Sequence, residues 1–178
     1  MKKVVVDVEN LSMSSTFFVP NAFEKFKIPT TLNINLEDLE QRYFKAQQKH
    51  HPDRHRSSAS HQESNLAAAA FNEAYQILKD PLKRAAHLLK CLGWIDPVEN
   101  PETQKDSSLL FLMMELNEKI EKATTIEEKQ SLASFLKQEI QKNWTDLENS
   151  IKKNDRANSL SLLNRLTYLS RLQQNLIK

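Results

Sequence analysis

The run Arg42-Tyr43-Phe44-Lys45-Ala46-Gln47-Gln48-Lys49-His50-His51-Pro52-Asp53 closes one helix and opens the turn to the next. Leu36, Leu39, Tyr43, Ala46 and His50 recur at intervals of three and four residues, the period of one helix face, which marks a packing side. At about 100° per residue, Arg42, Lys45 and Lys49 fall on a separate, basic stripe of the same helix. Pro52 stops it, because a residue before proline is driven out of the α region. A serine-rich loop follows. Ser60 with Glu63 three residues on is a capping-box pattern that opens a second helix reaching about Lys79. Ala67, Phe71, Ala74 and Leu78 give that helix an apolar face, so the two pair as a helical hairpin with His51-Pro52-Asp53 at its turn.

Outward from the hairpin, the pattern stays helical. Phe23 and Phe26 precede Pro29 and suggest one short helix that ends before the proline. Residues 1–20 show no sustained period and are read as a flexible extension, with a short strand at Val4 to Val8 the one element they could hold. On the other side, Asp80-Pro81 supplies an N-cap and a first-turn proline for a helix over 82–92, and Gly93 can close it. Residues 94–106 contain Pro97 and Pro101 among polar side chains, a composition suited to a linker. Three long helices follow, at about Ser107 to Ala123, Ile126 to Ile151 behind a Thr125/Glu128 capping box, and Arg156 to Ile177. Their short connections favour antiparallel packing, so 107–178 is expected to be a three-helix bundle.

Composition agrees with an all-α protein. The 178 residues are 39% hydrophobic and 27% charged, ordinary for a soluble chain, and hold a single glycine where hairpin turns would demand several. A net charge of +2 is too small to imply nucleic acid or an anionic membrane. One cysteine, Cys91, excludes an internal disulfide framework and any multi-cysteine metal site, and is read as a small buried side chain. Asp7 and Glu9 break the apolar start well short of a signal-peptide core, and no run is long enough to span a bilayer.

His51 to His55 spells H-x-x-x-H, so a zinc-peptidase site has to be weighed. Such a site needs both imidazoles one turn apart on a helix, with a glutamate base between them. Pro52 occupies the glutamate's place and breaks the helix. A nucleic-acid face could be built from Arg42, Lys45, Lys49, Arg54 and Arg56, but it lacks aromatic side chains for base stacking, since Tyr43 points with the core stripe. A solvated helix face and a protein partner with an acidic surface remain, the latter drawn in by electrostatic steering. His50, on the apolar stripe, is read as a core histidine.

A basic-faced helix, a loop with His51-Pro52-Asp53, and a second helix carrying Asn72-Glu73-Ala74-Tyr75 and Leu78-Lys79-Asp80-Pro81 together resemble a J domain. The run Asp80-Pro81-Leu82-Lys83-Arg84-Ala85-Ala86-His87-Leu88-Leu89 further resembles the D-P-x-x-R-A-x-Y-L-L segment of the HscB family, J-domain co-chaperones of iron–sulfur cluster assembly. His87 stands where that pattern has tyrosine. The resemblance implies a J domain over 21–93 that binds a DnaK-type (HscA-like) chaperone and stimulates its ATPase, with no enzyme activity of its own. His51, Pro52 and Asp53 would be the essential loop, with Arg42, Lys45 and Lys49 steering the helix onto the chaperone.

The helix from Ser107 holds more apolar residues than one packing face can use. By helical angle Leu109, Leu112, Met113, Leu116 and Ile120 make the core stripe, and Leu110, Phe111 and Met114 project opposite, beside Asn117, Glu118 and Glu121. In the last helix Leu162, Leu166 and Leu169 form a stripe and Tyr168 falls off it. An exposed apolar patch suggests either docking or packing against the other domain or a second subunit. Resemblance favours docking. In the HscB family this face binds the iron–sulfur scaffold protein (IscU-like), which carries over to Leu110, Phe111, Met114, Glu115, Glu118 and Tyr168. Trp94 and Trp144, the latter continuing a Phe135, Ile140, Leu147 series, are assigned to packing.

The function so implied is delivery of a cluster-bearing scaffold to a specialised chaperone, with a J-domain adaptor for a different client protein as the alternative. No catalytic residue, metal site or cofactor, and no nucleic-acid or membrane partner, is implied. Animal relatives carry a cysteine-rich zinc module that this chain lacks, which points to a bacterial protein in the cytoplasm.

Overall fold

The computed structural model describes residues 21–50, 58–95 and 107–177. Expectations for residues 1–20, for His51, Pro52 and Asp53, and for most of the 94–106 linker fall outside the described residues. Seven helices are described: α1 (Ala22–Phe26), α2 (Leu36–Lys49), α3 (Ser58–Lys79), α4 (Pro81–Cys91), α5 (Ser107–Lys122), α6 (Ile126–Lys152) and α7 (Arg156–Ile177). The chain divides into two compact units, 1–88 and 89–178, and the division falls inside α4.

The first unit is assembled from caps and one aromatic cluster. Asn21 and Glu24 form a reciprocal capping box on α1, and Lys27 ends that helix in the left-handed region at φ 52°. The Asn35 carboxamide accepts from the Glu37 and Asp38 N–H groups at the start of α2. Tyr43 stacks on Tyr75 at 4.2 Å and donates to Asn72 Oδ1 at 3.0 Å, while His50 stacks on Phe71 at 5.5 Å. Because contacts climb along α2 as they descend along α3, the two helices run antiparallel. Phe71 also meets Phe26 edge-on, which ties α1 to the hairpin. Phe23, Phe26, Leu39, Ala74 and Leu78 fill the core.

Asp80 caps α4 as the sequence suggests, its Oδ1 accepting from Lys83 N at 2.9 Å. Arg84 reaches back to the carbonyls of Leu32 (2.8 Å) and Leu78 (2.5 Å), and burial lowers its pKa from the ordinary value while the Asp80 carboxylate opposes that shift. His87, in the tyrosine's place, accepts from the Ala22 N–H at 3.0 Å through Nε2 and stacks on Phe23 at 5.7 Å. Gly93 closes α4 at φ 70°, its N–H on Lys90 O and the Trp94 N–H on Leu89 O, a Schellman ending that only a residue tolerant of positive φ can make cheaply.

The second unit is an antiparallel three-helix bundle. Met113 and Leu116 of α5, Leu136 of α6, and Leu169 and Leu172 of α7 form one buried cluster, with Leu109, Leu112, Ile120, Ile140 and Leu176 packed against it. The Thr125/Glu128 capping box starts α6 as expected; hydrogen bonds from the Thr125 and Thr124 N–H groups hold the Glu128 carboxyl below its ordinary pKa. Between α6 and α7, Asn154 takes the left-handed conformation at φ 59°, and Ser150, Ser159 and the Asp155 carbonyl share a buried hydrogen-bond network. Arg156 Nε donates to Trp94 O at 3.1 Å.

Four local expectations are corrected. Leu36 is exposed, because it stands in the first turn of α2, outside the packed part of the hairpin. The second helix begins at Ser58, so Ser60 lies within its first turn and cannot cap it. In α7 the buried leucine is Leu163, with Leu162 half-buried, since the seam runs through Ser159, Leu163, Leu166 and Leu169. In α6, Phe135 is exposed and its neighbour Leu136 is buried instead, on a line with Asn143, Leu147 and Ser150, while Ile140 and Leu147 pack as expected.

Candidate protein-docking surfaces

Two surfaces collect the side chains singled out by sequence. On α2, Lys45 and Lys49 are exposed, while Arg42 is half-buried and already engaged. Its Nε pairs with Asp38 Oδ2 at 2.9 Å, and its Nη1 donates to the carbonyls of Phe26 (3.1 Å) and Lys27 (3.4 Å). Those carbonyls end α1 and have no helical N–H to accept from, so the guanidinium finishes that helix and fastens it to α2. The basic stripe therefore divides into one arginine serving the fold and two lysines facing water. The hairpin's far end is held by His50, half-buried as expected of a core histidine.

On α5, the core takes one side of the helix and leaves the other bare. Leu110, Phe111 and Met114 are 64%, 70% and 64% exposed, three adjacent large apolar side chains in water. Phe111 and Met114 line a shallow groove with Glu115, Asn117, Glu118 and Glu121. Lys119 pairs with Glu115, and Lys122 with Glu118, along the helix, which keeps those carboxylates extended at the groove's edge. The structure thus brings Leu110, Phe111, Met114, Glu115 and Glu118 onto one face. Tyr168 is exposed on α7 with Arg171 6.0 Å from its ring, and it does not line the groove.

Exposed Phe44 and Leu66 in the first unit, and Ile126 in the second, were not singled out from sequence. The signal for Phe44 was available, since it projects well away from the Leu39, Tyr43 and Ala46 line. Among the described residues, no three His, Cys, Asp or Glu side chains gather to hold a metal ion, and no helix is long and apolar enough to cross a membrane. The chemistry on offer is a hydrophobic face with an acidic rim on one unit and a pair of exposed lysines on the other.

Family models divide the chain in the same way. The DnaJ domain matches residues 21–87, and the HSCB C-terminal oligomerisation domain matches residues 105–177. The hairpin of α2 and α3 with its flanking helices, joined to a three-helix bundle, is that of a J-domain protein carrying a helical C-terminal domain. A Shewanella amazonensis protein named co-chaperone protein HscB homolog is 35% identical over 121 residues, covering 66% of this chain and 68% of that one. One of the same name from Haemophilus ducreyi is 37% identical over 124 residues, covering 66% and 69%. The chain belongs to the HscB family of co-chaperones. In fold it is similar to the chaperone HscB from Vibrio cholerae, with a TM-score of 0.78 at 24% identity over 89% of this chain and 96% of that one.

Proposed function

We propose that this co-chaperone binds an iron–sulfur scaffold protein (IscU-like) through its C-terminal bundle and delivers it to a DnaK-type (HscA-like) chaperone, whose ATPase its J domain stimulates. The observation that carries the reading is the bare α5 face: Leu110, Phe111 and Met114 are solvent-exposed on the side of the helix opposite its core. A few such side chains together provide the desolvated centre an interface needs, and Glu115 and Glu118 at the rim favour a partner with basic residues around its own apolar patch. Tyr168 would add an aromatic contact from α7.

At the other surface His51, Pro52 and Asp53 act as the chaperone-contacting loop. Pro52 restricts its backbone, and the Asp53 carboxylate can accept charge-assisted hydrogen bonds from a chaperone arginine. Lys45 and Lys49 steer the approach to an acidic surface, with Arg42 adding charge while its donors remain committed to α1. The division of labour assigns the J domain to 21–93, a connector to 94–106 and the scaffold-binding domain to 107–178, in a bacterial cytoplasmic protein with no need of a cofactor, nucleic acid or membrane. All of the bond-breaking chemistry belongs to the chaperone.

Asp53→Asn is expected to abolish ATPase stimulation while scaffold affinity, measured by calorimetry, stays at wild type. Leu110→Ala with Met114→Ala should do the reverse, weakening scaffold binding at least tenfold, the order expected when two central apolar contacts are lost. Scaffold affinity unchanged in the double variant would contradict the docking assignment and favour another client or a self-association face; capture by the isolated partner candidates then decides.

A further inference from the structure

The end of α2 is held in a way that the basic stripe and the loop motif do not account for. A helix leaves its last carbonyls without intrahelical donors, and here the terminal one belongs to His50, two residues before Pro52. The Ser64 hydroxyl donates to that carbonyl at 2.6 Å from α3, fourteen residues on in sequence. Ser64 is only 4% exposed. A serine inside a helix ordinarily bonds back to the carbonyl one turn earlier or points to water; this one is buried and reaches across to another helix. The His50 ring is fixed separately, stacked on Phe71 at 5.5 Å with 26° between planes, and Phe71 in turn packs on Phe26.

We infer that Ser64 is a positioning residue for chaperone stimulation, an inference that rests on the J-domain reading above. The peptide group is planar, so orienting the His50 carbonyl orients the whole peptide unit that ends α2. Ser64 sets the plane of the last peptide of α2, just ahead of Pro52 and Asp53 in sequence, and Phe71 holds the His50 ring beside it. Without the hydroxyl, the His50 carbonyl loses its tie to α3 and the exit plane becomes free to turn. Fewer molecules then present the loop ready to bind. A reduced ready fraction raises the apparent dissociation constant in inverse proportion and leaves the saturated complex unchanged.

The test is steady-state ATPase of a DnaK-type chaperone titrated with full-length co-chaperone. For Ser64→Ala the half-saturating concentration should rise, by up to about fivefold, the ceiling set by one neutral buried hydrogen bond, with maximal stimulation unchanged. Ser64→Thr, which keeps the hydroxyl, should restore the wild-type value, and the His50 carbonyl carbon-13 resonance should shift in Ala and return in Thr. Ser64→Cys fills the same space with a weak donor and should behave as Ala, which keeps the test open if Ala lowers stability. Wild-type half-saturation in both Ala and Cys, or a fall in maximum with half-saturation unmoved, overturns the inference. Asp53→Asn run alongside separates the two claims: full stimulation by that variant overturns the J-domain reading itself, whereas its loss together with wild-type behaviour of Ser64→Ala overturns only the role of Ser64.

Discussion

Individual side chains divide the basic stripe of α2 between fold and solvent. Arg42, Lys45 and Lys49 are indistinguishable by helical angle, and sequence grouped them for that reason. What separates them is a set of carbonyls at the end of α1, sixteen and fifteen residues away, which no local pattern announces. Arg42→Ala should therefore destabilise the first unit by about 1 kcal/mol in urea denaturation, a figure discounted because the guanidinium is half exposed. Lys45→Ala and Lys49→Ala should leave stability unchanged and instead slow chaperone association, by an amount that shrinks as salt rises. Equal destabilisation by all three would return Arg42 to the ranks of the surface charges. Ser64 is a second instance of the same lesson. Nothing in its neighbourhood of serines, alanines and histidines marks it, since its partner lies at the end of a different helix.

Elements were far more legible, because their boundaries are written in short-range chemistry. The Thr125/Glu128 box, the Asp80-Pro81 start and the Gly93 stop are each set by backbone groups within a few residues, and each occurs in the structure as the sequence spells it. The start of α3 was misplaced because Ser60 and Glu63 imitate a cap in a run containing several serines. The turn at Asn154 was legible only as a short connection, since asparagine there does what glycine does at Gly93. Seam positions were harder. In α6 and α7 the seam includes Asn143, Ser150 and Ser159, and a reading that follows large apolar residues drifts toward Phe135 and Leu162. The capping box makes a pH prediction. The folded state lowers the Glu128 pKa, so its contribution to stability is present above the ordinary carboxylate value and lost as pH falls through the lowered one. Glu128→Gln should be less stable than wild type in thermal melts at pH 7, and the two curves should converge in strong acid; a gap that persists there would locate the effect elsewhere than in the charge.

At the scale of the whole molecule, the proposed function rests on the side of α5 that the bundle leaves uncovered. A helix with apolar residues all round is normally buried, yet α5 keeps one such side in water, and that surplus is legible in the run Leu109-Leu110-Phe111-Leu112-Met113-Met114 itself. The residues that pack and the residues that project were separable by angle because α5 has a single seam. Which molecule covers the exposed side is a matter of partner chemistry, which no intramolecular pattern encodes. Coupling of the proposed kind requires client capture and chaperone triggering to reside on the same chain. Its most direct measurement is chaperone ATPase with scaffold at limiting co-chaperone, comparing wild type with an equimolar mixture of Asp53→Asn and the Leu110→Ala, Met114→Ala double variant. Delivery by physical coupling predicts that the mixture performs no better than the double variant alone, since the chain that holds the scaffold cannot trigger and the chain that triggers cannot hold. Wild-type stimulation by the mixture would contradict the claim.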